Sequence, residues 1–221
     1  MNVSEQPVAV GSRKVRAALD TLVAVDAKEW SRVEAVTVAL QPTPLERQPS
    51  AYVRAAWQDR PRGGVSEVRV RTLTNAKVLA IHLDWAAPRP RRRISDYDIY
   101  PDACAVLLPV DGASLEHETM GSPEHPVEAW FWRAGTDEPF VARATGVGTT
   151  RRVAGHAVVG RADWADGRWR VVLARPLAAE GAPLAHGDRV PVAFAVWSGV
   201  VSERAGLKSY SVQPYELVVG E

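Results

Sequence analysis

VLAIHLDW, residues 78–85, decides the fold. Leu79, Ile81, Leu83 and Trp85 fall on one side of the run, and Val78, Ala80, His82 and Asp84 on the other. A period of two is that of a β-strand, whose successive side chains point to opposite faces. A helix would need its apolar residues three and four apart. The same period recurs along the chain. VEAVTVALQ (33–41) puts Val36, Val38 and Leu40 on one face, and EVRVRTL (67–73) alternates Val with Arg. ACAVLLP (103–109), VEAWFW (127–132), WRVVLAR (169–175), VPVAFAVW (190–197) and YELVV (215–219) continue it. Eight or nine such runs, joined by Gly/Pro-rich segments, predict a mainly β chain. The architecture expected is a two-sheet antiparallel β-sandwich.

One segment reads differently. RKVRAALDTLVAVDAKEW (13–30) carries apolar residues near helical spacing and predicts a short N-terminal helix, with a few loop helices elsewhere. The expected organisation is an N-terminal extension over 1–24 and one sandwich domain over 25–221, with no internal repeat. At 221 residues and 46% hydrophobic content, one domain can bury a full core.

Charge and composition exclude several function classes. The net charge of +1 offers no field for nucleic acid. The basic residues are 23 Arg against 4 Lys, a bias read as compositional. PRPRRR (88–93) reads as a solvated loop, with partner docking as the lesser reading. No run approaches the roughly 20 apolar residues of a membrane span. The start, MNVSEQPVAVGSRKVRAALD, lacks a signal-peptide apolar region, so the chain as it stands is expected in the cytoplasm. A periplasmic location needs a removed leader or an exported partner.

The usual catalytic patterns are weak. Cys104 is the single cysteine and lies in an apolar strand, which suggests a buried inert thiol. There is no G-x-S-x-G elbow, and GVG (146–148) lacks the context of a phosphate loop. Asp84, Glu128, Asp163 and Asp166 are carboxylates that nothing in the sequence pairs. His117 and His125, with Glu116, Glu118 and Glu124, match no common metal-ligand spacing and read as surface loop residues. His82 sits opposite the apolar face of its strand and reads as structural or exposed. The eight tryptophans are core candidates, or else a flat platform for a sugar or a porphyrin.

Two residues stand apart. Met120 is the only internal methionine and lies in a polar loop, HETMGSPEHP (117–126), where a core gap-filler has no place. Its thioether is a soft neutral ligand for a metal or haem iron. Lys208, the only lysine after Lys77, lies in WSGVVSERAGLKSYS (197–211). By composition alone it reads as a solvated surface residue.

MGSPEHPVEAWFWRA (120–134) followed by VAFAVWSGVVSERAGLKSYS (192–211) resembles the haem-binding gamma subunits of the type II dimethylsulfoxide-reductase-like molybdenum enzymes. That group includes the ethylbenzene and dimethylsulfide dehydrogenases and the selenate and chlorate reductases. EWSRVEAVTVALQP, VLAIHLDWAAP, DACAVLLP and GRWRVVLARPL match further strands in order, so the resemblance covers about residues 25–219. It implies a noncovalent b-type haem held between Met120 and Lys208 as axial ligands. An arginine such as Arg133 or Arg204 is implied for the propionates. It implies an electron-transfer subunit that does no substrate chemistry. Its partners would be an iron–sulfur beta subunit, a molybdopterin-containing alpha subunit, and an external cytochrome or quinone-linked carrier. The rival readings are a carbohydrate- or ligand-binding sandwich module and a haem-free assembly subunit.

Overall fold

The computed structural model describes residues 7–95, 97–136 and 138–220. Its elements in chain order are β1 (Ala9–Lys14), α1 (Leu19–Val23), β2 (Val36–Pro42), α2 (Ala51–Ala56), β3 (Glu67–Thr74) and β4 (Val78–Ala86). Then come β5 (Ala103–Pro109), β6 (Val127–Arg133), β7 (Phe140–Ala144), β8 (Arg151–Val153), β9 (Val159–Ala165) and β10 (Arg168–Pro176). β11 (Arg189–Trp197), β12 (Ser209–Ser211) and β13 (Tyr215–Val218) complete the chain. Among the described residues no helix is long and apolar enough to cross a membrane.

The strands pair in the order β8-β7-β6-β5-β11-β12-β2-β3-β4-β10-β9. The ribbon doubles over at β12, so that β2-β3-β4-β10-β9 faces β11-β5-β6-β7-β8 as a sandwich. Between the layers lie Leu79, Ile81, Leu83 and Trp85 of β4, Val171 and Leu173 of β10, and Cys104, Val106 and Leu108 of β5. Trp132 packs edge-on against both Trp169, at 4.9 Å, and Trp85, at 6.3 Å. Each buried indole removes on the order of 200 Å² from water, an upper-bound gain of about 5 kcal/mol before ordering costs.

The expected runs become strands with the expected faces, because one side of each must reach this core. The pairing is antiparallel with one exception. β1 runs parallel to β13 over Ala9–Gly11 and to β3 over Ser12–Lys14, tying the two layers along one margin. The start of the chain therefore corrects the expected helix over 13–30. Helix forms only over the five residues of α1. Thr21, Val23 and Val25 are β-branched and disfavour propagation. The segment is held by packing instead. Leu22, Val23 and Trp30 cover Val78, Ala80, Val172 and Ala174 on the outer face of the first sheet.

That cover explains His82. Its strand is buried on both sides, and the imidazole is 2% exposed, with its ring 5.1 Å from that of Trp30. Burial is the main reason its pKa falls to about 4, with Arg71 adding repulsion. An unfolded histidine titrates near 6.5, so the folded pKa lies below the unfolded one. Stability is then full above about pH 6.5 and falls as the pH drops toward 4. Between about pH 7.5 and about pH 5, wild type should lose ~2 kcal/mol more urea-unfolding stability than His82→Phe. Equal losses in the two proteins would contradict a neutral buried His82.

Candidate functional site

The second sheet also has two buried faces. Its inner face carries Val106, Trp130 and Phe194 into the core. Its outer face is built from the alternate residues, and these are small. Directly paired residues of antiparallel strands share a face. Ala193, Leu107, Ala129, Ala142 and Arg152 thus stand in one row across β11, β5, β6, β7 and β8. Tyr210, Ala195, Ala105, Phe131 and Phe140 form the next row, beginning on β12.

A cavity of about 530 Å³ lies over these rows, within the size range of cofactor sites. The alanines make a flat floor that a large side chain would fill. Phe131, Phe140 and Trp197 rise as aromatic walls. Three loops overhang: Gln48–Val53, leading into α2; Val147–Thr150, between β7 and β8; and Ala205–Lys208, before β12. The GVG motif is therefore a rim loop that contributes Val147 and Gly148 to the wall. Of the eight tryptophans only Trp197 lines the cavity, while Trp85, Trp130, Trp132 and Trp169 lie in the sandwich core.

Met120 and Lys208 meet on this wall. They are 88 residues apart in sequence, and the Lys208 Nζ donates to the Met120 Sδ at 3.3 Å. The amine also sits 5.5 Å from the centroid of the Trp197 ring. No carboxylate pairs with it among the described residues. Three donors facing one weak sulfur acceptor and a ring face leave the ammonium poorly solvated. Burial accordingly lowers the Lys208 pKa to about 8.

Each loop is fixed by local constraints. Met120 and Gly121 both take the left-handed region, with φ of 60° and 82°. A methionine there is strained by about 1 kcal/mol or more. The turn is locked by the Gly121 amide donating to the Glu116 carbonyl at 2.9 Å, and by the Gly146 amide donating to the Met120 carbonyl at 3.0 Å. A Cβ on Gly121 would lie 2.7 Å from the His125 carbonyl oxygen, so glycine is required. On the other side, the buried Glu203 carboxylate accepts from the amides of Ser198, Gly63 and Gly64. Burial raises its pKa, and the three amides oppose that rise. The Trp197 indole donates to the Ala205 carbonyl at 3.0 Å, and the Lys208 carbonyl accepts from the Thr43 amide at 2.9 Å. Lys208 is thereby pinned at its backbone while its side chain reaches along the cavity.

The other candidates find different places. His117 is half-buried on the cavity wall, not on the open surface, with its Nε2 3.1 Å from the Ser211 carbonyl oxygen and its ring 5.8 Å from that of Tyr210. His125 pairs with Asp111 at 2.7 Å, away from the cavity. Three of the four carboxylates are engaged by arginines: Asp84 with Arg168, Glu128 with both Arg143 and Arg175, and Asp166 loosely with Arg170, while Asp163 is exposed on β9. Cys104 faces the core, and burial pushes its thiol pKa up. Arg133 and Arg204 do not line the cavity. Arg204 donates to the Tyr100 hydroxyl and stacks on that ring, and the Arg133 Nε is buried without a hydrogen-bond partner among the described residues. The sequence reading missed the alanine floor, the Gln48–Val53 overhang and the Glu203 clamp.

The ethylbenzene dehydrogenase family profile matches residues 27–158 and 145–209. A Haloferax mediterranei protein, provisionally named a respiratory nitrate reductase haem subunit, is 35% identical over 82% of this chain and 63% of its own length. The chlorate reductase gamma subunit of Ideonella dechloratans is 33% identical over 63% of this chain and 59% of its own length. The aligned part is thus less than two thirds of either relative. In fold, the chain is similar to a family 9 carbohydrate-binding module of Caldicellulosiruptor kristjanssonii in complex with glucose, with a TM-score of 0.53 over 96% of both chains. At 10% identity that likeness speaks to the fold alone. The chain belongs to the ethylbenzene dehydrogenase family and is similar within it to the gamma and haem subunits of reductase complexes.

Proposed function

We propose that this chain holds one noncovalent b-type haem in the alanine-floored cavity, with Met120 and Lys208 as its axial ligands. It would act as a non-catalytic electron-transfer subunit. Electrons would pass between an iron–sulfur subunit, itself next to a molybdopterin-containing catalytic subunit, and an external cytochrome or quinone-linked carrier. The observation that carries this reading is the Lys208–Met120 contact of 3.3 Å on the wall of a largely apolar cavity.

The residues suit the group. Bound haem supplies one-electron redox chemistry at iron. Met120 offers a neutral sulfur, which favours the ferrous state and raises the potential. Lys208 ligates only as the free amine. Freeing it at pH 7 costs on the order of 1 kcal/mol from a pKa of about 8, against roughly 5 kcal/mol for a solvated lysine. The protein has therefore already met much of the cost of deprotonation by desolvating the amine. Both side chains are long and unbranched, so they can part to admit an atom between them. The alanine rows leave space for a flat macrocycle, and Phe131, Phe140 and Trp197 exclude water from its faces. With Cys104 facing the core, no thiol borders the cavity for a covalent link.

The carbohydrate reading finds less support. A sugar platform needs exposed aromatic faces ringed by hydrogen-bonding groups, whereas this floor is alanine.

Three outcomes test the proposal. The purified chain reconstituted with haem should bind one equivalent, give a b-type pyridine haemochrome and show a six-coordinate low-spin spectrum. A chain that stays colourless points to an assembly subunit instead. Met120→Ala should open the ferrous iron to carbon monoxide and lower the potential. An unchanged spectrum and potential would remove Met120 from the site. Lys208→Ala should lose the low-spin ferric spectrum and weaken haem retention by on the order of tenfold or more. Native bands in that variant would end the assignment.

A further inference from the structure

We propose that Arg152 is the anion anchor of the cavity, receiving a carboxylate from the edge of the planar ligand. The inference rests on the haem reading above and extends it to a residue of β8. In the register of the second sheet, Arg152 stands directly opposite Ala142. It is the fifth member of the row Ala193–Leu107–Ala129–Ala142–Arg152; the first four form cavity floor, and Arg152 stands just outside the lining, at its margin. A strand has two faces, so its side chain emerges on the cavity side. The guanidinium lies 3.8 Å from the centroid of the Phe140 ring, and Phe140 is itself a wall of the cavity. The row therefore runs from apolar floor to a cation at the outer margin, beside the Val147–Thr150 rim.

The charge there is unspent. Arg143 and Arg175 are paired with Glu128, and Arg47 with Glu118. Arg152 has no ion pair among the described residues and is exposed. A porphyrin carrying carboxylates is apolar over its faces and anionic along one edge. The alanine and phenylalanine surfaces give that edge nothing to bind, whereas the Arg152 margin offers both a cation and water. Stacking on Phe140 holds the planar fork in a fixed plane, ready for a two-point carboxylate contact.

Release of haem and of its dimethyl ester, which lacks the edge charges, separates this role from general packing. Dissociation is followed by absorbance during transfer to an excess of apomyoglobin, or to detergent for the ester. Relative to the ester, wild type should retain haem about fivefold longer, the size of one partly exposed charge-assisted pair. Arg152→Ala should bring that ratio close to one by speeding haem release and leaving ester release unchanged. Arg152→Lys should restore part of it. A ratio that stays at the wild-type value in Arg152→Ala, with haem still bound, overturns the anchor and spares the haem reading. A wild-type chain that retains neither porphyrin overturns both.

Discussion

A lysine amine against a methionine sulfur, on the wall of an apolar cavity, is the contact on which the rest of this structure turns. Alone it is a poor bargain. The ammonium gives up water for one weak acceptor and a tryptophan face. The chain nevertheless devotes strong constraints to it. Two consecutive left-handed residues aim Met120, and a buried carboxylate with three amide donors holds the loop that leads to Lys208. Such cost at one spot marks a place built for something other than stability.

The sandwich supplies the rest. Its second sheet buries large side chains inward and small ones outward, so one set of strands serves both core and cavity. Trp130 and Phe131 are neighbours in sequence, yet one packs the core and the other walls the cavity. This coupling restricts substitution in β5, β6 and β11. A larger residue at Ala105, Ala129 or Ala195 would be accommodated by the strand and still fill the floor. The fold is similar to that of a carbohydrate-binding module, but the alanine floor and the sulfur–amine pair set the site apart chemically.

Much of the fold was legible in the sequence, and much of the site was not. Strands that reach the core announce themselves by period two, as VLAIHLDW and ACAVLLP do. β9 did not, because Val159, Arg161 and Asp163 on this edge strand are exposed. β8 and β12, at three residues each, are too short to show a period. The segment over 13–30 misled, since apolar residues near helical spacing also suit an irregular strap over a sheet. Met120 stood out as a lone internal methionine in a polar loop, whereas Lys208 was legible only through the resemblance of its loop to a family. The floor was hidden because alanine is neutral in any single strand. It becomes a surface only when four strands are placed in register. Arg133 shares the outer face of the second sheet through Ala103 and Trp197, yet neither it nor Arg204 lines the cavity.

Iron K-edge absorption on the haem-loaded chain tests the central contact most directly, because it counts the atoms bound to the metal. One sulfur and five nitrogen neighbours, with the sulfur signal lost in Met120→Ala, is the result predicted for the Met120–Lys208 pair. A shell of nitrogens alone in the wild-type chain would contradict it.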